Sequence, residues 1–339
     1  MRATKTLITL LTALVALFAA SVAHAAPGME KAIEDEDVFV DGKTLSPNLG
    51  YQRLADLGVR RMRILVTSSS VRTGNGFDFG KYDRAVNAAA QRGIRVQMVL
   101  IGRYPRPNVK EFATFANTTA AHFKGRVDRY SIWNEPNYIA WLAPQRKAPA
   151  LYRRLYLAGY KAVKSADRGA KVLMGETVPN AQGRRAMAPI AFLRKVACVN
   201  KQYKRVRSCP KLKADGYAHH PYDFTRAPRR SKGGKDEATI GSLSNLTKAL
   251  DKLAHSGQIK GTKNLYLTEY GYLATGKRGL SEAKRASYLR QGFRIARKNR
   301  RVKELVQYLL VQPNDSTFTT GLLNSNGSET PSYAALRAS

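Results

Sequence analysis

The sequence predicts an α/β fold, a single (β/α)8 TIM barrel, and three observations carry that expectation. Apolar strand segments and amphipathic helix segments alternate eight times over about 300 residues. The strand segments end in polar residues, which is where a parallel barrel gathers its reactive groups. No glycine-rich phosphate loop follows the first strand, so the open doubly wound sheet is the second choice, and no internal period suggests a solenoid.

Each element is justified in turn. A short first strand falls in "KAIEDEDVFV". Ser46-Pro47 then opens a helix as cap and first-turn proline, with Tyr51, Leu54 and Leu57 on one face and Gly58 as its stop. "RMRILVT" is the second strand, and the helix around Tyr82, Val86 and Ala90 stops at Gly93 before the third, "IRVQMVLIG". Phe112, Phe115 and Phe123 mark the helix leading to the fourth, "VDRYSIW". A long helix from about Ala150 to Ala166 precedes "KVLMGE", and the helix "APIAFLRKVA" precedes "ADGYAHH". The stripe Leu243, Leu246, Leu250 and Leu253 then leads to "NLYLTE", and the helix "SEAKRASYLRQGFRIARK" leads to "ELVQYLLVQ".

Arg2 and Lys5 precede an apolar run from Leu7 to Val22 that closes on Ala23-His24-Ala25, the pattern of a secretory signal peptide over residues 1–25. The mature chain is then 26–339, one barrel domain, secreted, with no further apolar stretch long enough to span a bilayer. Cys198 and Cys209 are the only cysteines, and an exported protein meets an oxidising compartment in which a local disulfide forms. The formal charge is +34, or +32 without Arg2 and Lys5. Such a charge suits an anionic cell-wall polymer or exopolysaccharide. The basic residues are scattered, with no zinc-finger spacing and no aromatic-basic RNA signature, which argues against nucleic acid. No histidine-carboxylate cluster has metal spacing, so no cofactor is implied.

The candidate site residues all lie at or near strand ends. Arg63 lies in the second strand, Asn134 and Glu135 end the fourth, Glu176 ends the fifth, His219, His220 and Tyr222 follow the sixth, and Glu269 ends the seventh. A carboxylate such as Glu135 is costly in a core unless it is paired or used. Two glutamates facing each other across a barrel mouth suit glycosidic bond cleavage, one as acid and one as nucleophile. Arg63 and Tyr222 are available to hold Glu269 ionised. Two readings stand for several residues. Arg63 serves the site or pairs with the acidic run Glu34 to Asp37, and Glu176 lies in the cleft or pairs with an arginine. Trp141 stacks on sugar or packs a loop.

"WNEPN" (Trp133 to Asn137) and "LTEYGY" (Leu267 to Tyr272), 134 residues apart at their glutamates, resemble the acid/base and nucleophile segments of clan A glycoside hydrolases, the group that includes families 5, 39 and 51. The resemblance implies that Glu135 is general acid and then base, that Glu269 forms a glycosyl-enzyme, and that Asn134 binds the sugar 2-hydroxyl. It also implies a histidine after the sixth strand, His220 or its neighbour His219. The chain departs from the group at the eighth strand. Many members carry a tryptophan there that floors the sugar site, whereas this chain has "LLVQPND", with Gln312 or Tyr308 as replacements, so the sugar is left open. The expected activity is retaining hydrolysis of a β-linked oligo- or polysaccharide; the alternative is a noncatalytic carbohydrate- or cell-wall-binding barrel.

Overall fold

The structure, a computed structural model, describes residues 28–314 and 318–339. The expected signal peptide lies outside the described residues. Eight parallel strands close on themselves in sequence order: β1 (Glu30–Glu34), β2 (Arg61–Thr67), β3 (Arg95–Ile101), β4 (Arg129–Ile132), β5 (Lys171–Thr177), β6 (Gly216–His219), β7 (Leu265–Tyr270) and β8 (Val302–Tyr308). β8 pairs with β1 to complete the ring. The strands are buried along almost their whole length, because helices cover the outside and side chains fill the inside.

Among the described residues, eight helices of seven residues or more pack outside: α1 (Pro47–Asp56), α2 (Gly80–Ala90), α3 (Val109–His122), α4 (Ala148–Ala166), α5 (Pro189–Val196), α6 (Leu243–His255), α7 (Glu282–Lys298) and α8 (Pro331–Arg337). α1 begins as expected, with Ser46 Oγ accepting from the Leu49 amide and Pro47 in the first turn. α7 is locked to the barrel top by Arg285, which is 1 % exposed and donates to the carbonyls of Tyr272 at 2.9 Å and Gly321 at 2.7 Å.

Three expected strands differ at their ends. The first stops at Glu34, because Asp35 caps a one-turn helix (Glu36–Phe39) by accepting from the Val38 amide at 3.2 Å. The sixth begins at Gly216, and the preceding Leu212–Ala214 pairs instead with Ile259–Gly261 in a separate two-stranded sheet. The eighth ends at Tyr308, since Leu309 turns to φ 65° and the chain leaves the barrel.

The barrel floor is ionic. Arg61 bonds Glu30 at 2.9 Å and Asp128 at 2.6 Å, while Arg129 bonds Glu30 at 3.2 Å and reaches Glu304 at 3.0 Å. Every charge there has an opposite within reach, as burial requires. Cys198 and Cys209 are joined in a disulfide with their Cα atoms 6.5 Å apart. No helix among the described residues is long and apolar enough to cross a membrane.

Candidate active site

The top of the barrel is organised around Arg63. Strand register sets Glu34 of β1 beside Arg63 of β2 and beside Tyr308 of β8. The guanidinium, fully buried, bonds Glu34 and Glu269 through Nη1, the latter at 3.1 Å. Through Nη2 it reaches Asn134 Oδ1 and Glu176 Oε2, each at 3.1 Å. Arg63 therefore pairs both with Glu34 of the acidic run and with Glu176 and Glu269 at the ends of the fifth and seventh strands.

His220 is the second hub. Its Nδ1 lies 3.0 Å from Glu135 Oε1 and 3.5 Å from Glu269 Oε2, and its Nε2 lies 2.8 Å from Glu176 Oε2. Thr268 donates to the same Glu176 oxygen at 2.5 Å, and Tyr222 donates to Glu269 Oε2 at 3.2 Å. His219, the other candidate, points elsewhere: it meets Thr177 Oγ1 at 2.9 Å and the Ala238 carbonyl at 2.6 Å. Alternation along β6 into the following turn explains this, because adjacent residues face opposite sides.

The backbone is strained where these groups emerge. Trp133, Glu135 and Glu176 have φ of 72°, 40° and 51°, a region L residues enter at a cost and retain mainly at functional sites. Gly175 at φ 124° makes the turn into Glu176 possible, since a Cβ there would stand 2.3 Å from the Ala218 carbonyl oxygen.

Burial sorts the four carboxyl groups. Glu176 and Glu34 have side chains 0 % and 1 % exposed, whereas Glu269 reaches 10 % and Glu135 16 %. Only the last two meet the mouth. Each offers an oxygen within 4.8 Å of the other.

Electrostatics separates the groups further. Burial opposes ionisation of Glu176, but Arg63 and His220 outweigh it and bring its carboxyl down to about 2. Burial works against the His220 cation, and Glu269, Glu135 and Glu176 reverse this, lifting it to about 9. Burial raises Glu269 above the usual carboxylate range against the pull of His220 and Arg63, and it raises Glu34 well above that range against the pull of Arg63. His219 is pushed down to about 4 by burial and is neutral at pH 7.

Glu135, His220 and Glu269 together present enough donors for a small cation. His220 fits that role poorly, since both ring nitrogens already face carboxylates and the ring holds its second proton at neutral pH.

Beyond Glu135 the mouth opens into a cavity of about 540 Å³ walled by the loops after β4 to β8, with Tyr222, Phe224, Phe318, Arg185, Arg226 and Arg278 on its surface. Trp141 is not part of this wall; it lies against Tyr104, centroids 4.8 Å apart, and its carbonyl accepts from the Trp133 indole at 3.0 Å. At the departure from the group's tryptophan, Tyr308 meets the Phe318 ring at 5.2 Å, and Phe318 meets Tyr222 and Phe224 at 5.5 and 5.3 Å. Gln312 is occupied by the Gly321 amide at 3.0 Å. From sequence, Glu34 is named only as a pairing partner for Arg63, and Thr268, Phe318 and the cavity arginines are not named. Glu34 alone had a readable signal, an acid closing an apolar strand, as Glu135 does.

No family model matches the sequence, and no curated protein does. Solved structures do match the fold. A family 39 glycoside hydrolase from Bacteroides cellulosilyticus WH2 superposes with a TM-score of 0.71 at 20% identity, covering 92% of this chain and 63% of that one. A monomeric beta-xylosidase from Caulobacter crescentus CB15 gives 0.62 at 17% identity, with 91% and 67% covered. An endoglucanase from the hyperthermophilic Thermotoga maritima gives 0.59 at 17% identity, with 91% and 96% covered. The chain thus spans under two thirds of the length of the family 39 enzyme and nearly the whole of the endoglucanase. It has the TIM-barrel fold of these glycoside hydrolases.

Proposed function

We propose that the chain is a secreted retaining glycoside hydrolase of clan A that cleaves a β-linked oligo- or polysaccharide with two glutamates. One observation carries this reading: Glu135 and Glu269, alone of the four glutamates in reaching the mouth, bring one carboxyl oxygen each to within 4.8 Å of the other. A retaining pair stands about 5 to 5.5 Å apart, and an inverting pair needs about 6.5 to 9.5 Å to admit a water.

Glu269, steadied by Arg63 and Tyr222, attacks the anomeric carbon as Glu135 gives its proton to the departing oxygen. The glycosyl ester that results has no charge on Glu269, and Glu135, now a carboxylate, takes a proton from the water that hydrolyses the ester. Asn134, fixed by Arg63, is placed to bind the 2-hydroxyl, a contact that strengthens as the oxocarbenium develops. Arg63 and His220 offset the buried negative charge throughout.

Residues 1–25 as a signal peptide and the Cys198–Cys209 bridge support export. The charge of +32 after cleavage fits an anionic envelope polymer as partner. The test is a screen of the purified protein on aryl β-glycosides and polysaccharides, followed by proton NMR of the first product formed. A β-anomer is expected. An initial α-anomer would make Glu269 a base for water, and saccharide binding without turnover would leave a binding barrel.

A further inference from the structure

The cavity beside Glu135 has a chemistry of its own. Glu135 borders it and Glu269 does not, so under the hydrolase reading it lies on the side of the scissile bond from which the leaving sugar departs. Three arginines line it. Arg226 is neutralised by Asp223, with Nε 2.6 Å from Oδ2. Arg185 and Arg278 have no carboxylate at ion-pair distance among the described residues, and both are exposed.

Their side chains are nevertheless held. Arg278 lies over the Phe224 ring with 4.7 Å to the centroid, and Phe224 stacks on Tyr222 at 4.8 Å and 23°. Arg185 donates to the Tyr138 hydroxyl at 2.6 Å, while its backbone carbonyl is fixed by the Ile139 amide at 2.8 Å. A guanidinium stacked by its face keeps its in-plane N–H groups free, the arrangement that grips a carboxylate or sulfate in two-pronged fashion. Scattered surface charge accounts for general attraction to polyanions. It does not account for two unneutralised guanidinium groups anchored on tyrosine and phenylalanine inside the cleft.

We propose that the leaving-group side of the cleft is a subsite for a sugar bearing an anionic substituent, a carboxylate or a sulfate ester, gripped by Arg185 and Arg278. The inference rests on the hydrolase reading for which side of the bond the cavity serves. Its test reads binding, whereas turnover and product configuration test that reading, so either can fail alone.

The experiment is calorimetric titration of the intact protein at about 0.15 M salt, where charges beyond about 8 Å are screened. The probes are the galacturonic acid trimer, its neutral methyl ester and a sulfated galactose trimer. An anionic trimer should bind at least tenfold tighter than the ester, and whichever anion binds tighter names the substituent. In the Arg185→Gln/Arg278→Gln double variant the preference should fall below threefold. The double variant Arg290→Gln/Arg294→Gln removes the same charge from the exposed face of α7 and should keep the preference. Equal affinity for acid, sulfate and ester, or equal loss in both double variants, overturns the proposal.

Discussion

His220 Nε2 stands 2.8 Å from Glu176 Oε2, both side chains wholly buried, and this contact sets the charge of the site. With Glu176 ionised down to about 2 and His220 protonated up to about 9, the pair is an ion pair across that whole interval. His220 then donates from both nitrogens and steers Glu135 from the other side.

A pH dependence of stability follows from His220. Its folded-state pKa, about 9, lies above the usual 6.5, so its contribution is fully present below about 6.5 and is lost as pH rises through 9. The shift corresponds to about 3 kcal/mol. Urea unfolding of the wild type and of His220→Asn should differ most near pH 6, and the difference should shrink by about that amount by pH 10. A gap constant with pH would show that folding leaves the His220 pKa unshifted.

The two mouth glutamates should separate under mutation. Glu269→Ala should lose turnover of every substrate, because nothing remains to attack the anomeric carbon. Glu135→Ala should lose about 10²- to 10⁴-fold on substrates that need leaving-group protonation. It should still form the glycosyl-enzyme from a dinitrophenyl glycoside and then stall. Azide should release the stall as the β-glycosyl azide, identified by NMR; full activity in both variants would place the chemistry elsewhere.

Arg63 answers Glu34, Glu269, Asn134 and Glu176 with one planar fork. A lysine cannot reproduce four contacts from a single ammonium. Arg63→Lys should remain folded and lose about 10²-fold in kcat/KM as Glu269 and Asn134 drift. Arg63→Met leaves Glu34 without its cation and Glu176 and Glu269 with His220 alone, and should cost about 3–5 kcal/mol in chemical denaturation. Wild-type kinetics in Arg63→Lys would mean that the fork is dispensable.

Asp35 ties the first strand to the last. Its Oδ2 accepts from the Leu310 and Val311 amides, each at 3.0 Å, while Oδ1 caps the Glu36–Phe39 turn, all at 3 % exposure. Asp35→Ala strands these buried donors, each worth about 1–3 kcal/mol, so unfolding free energy should fall by about 3 kcal/mol or more. A loss under 1 kcal/mol would show that water takes over the amides.

The barrel and the glutamate pair were legible in the sequence because both depend on local order: period along strands and helices, and a polar residue where each strand stops. Glu135, Glu176, His220, Tyr222 and Glu269 sit at such stops, and closing the ring brings them together. Strand ends were less legible, since Asp35 finds Leu310 and Val311 some 275 residues away and only then caps its helix. The choice of His220 over His219 likewise depends on which face of β6 looks inward. Arg185 and Arg278 were invisible among the chain's 58 lysines and arginines, because nothing local distinguishes an arginine stacked in a cleft from one in solvent.

Glu135, Glu176, His220 and Glu269 are borne on barrel strands or the residues just after them, while Arg185, Phe224 and Arg278 belong to the connecting loops. Heritable change can therefore act on the two sets separately. Under the proposed function, a grafted β6–α6 or β7–α7 connection would alter which saccharide is accepted while Glu135 and Glu269 keep their spacing. The scaffold is suited to diversification by loop exchange, with reactivity inherited from one part of the chain and taste from another.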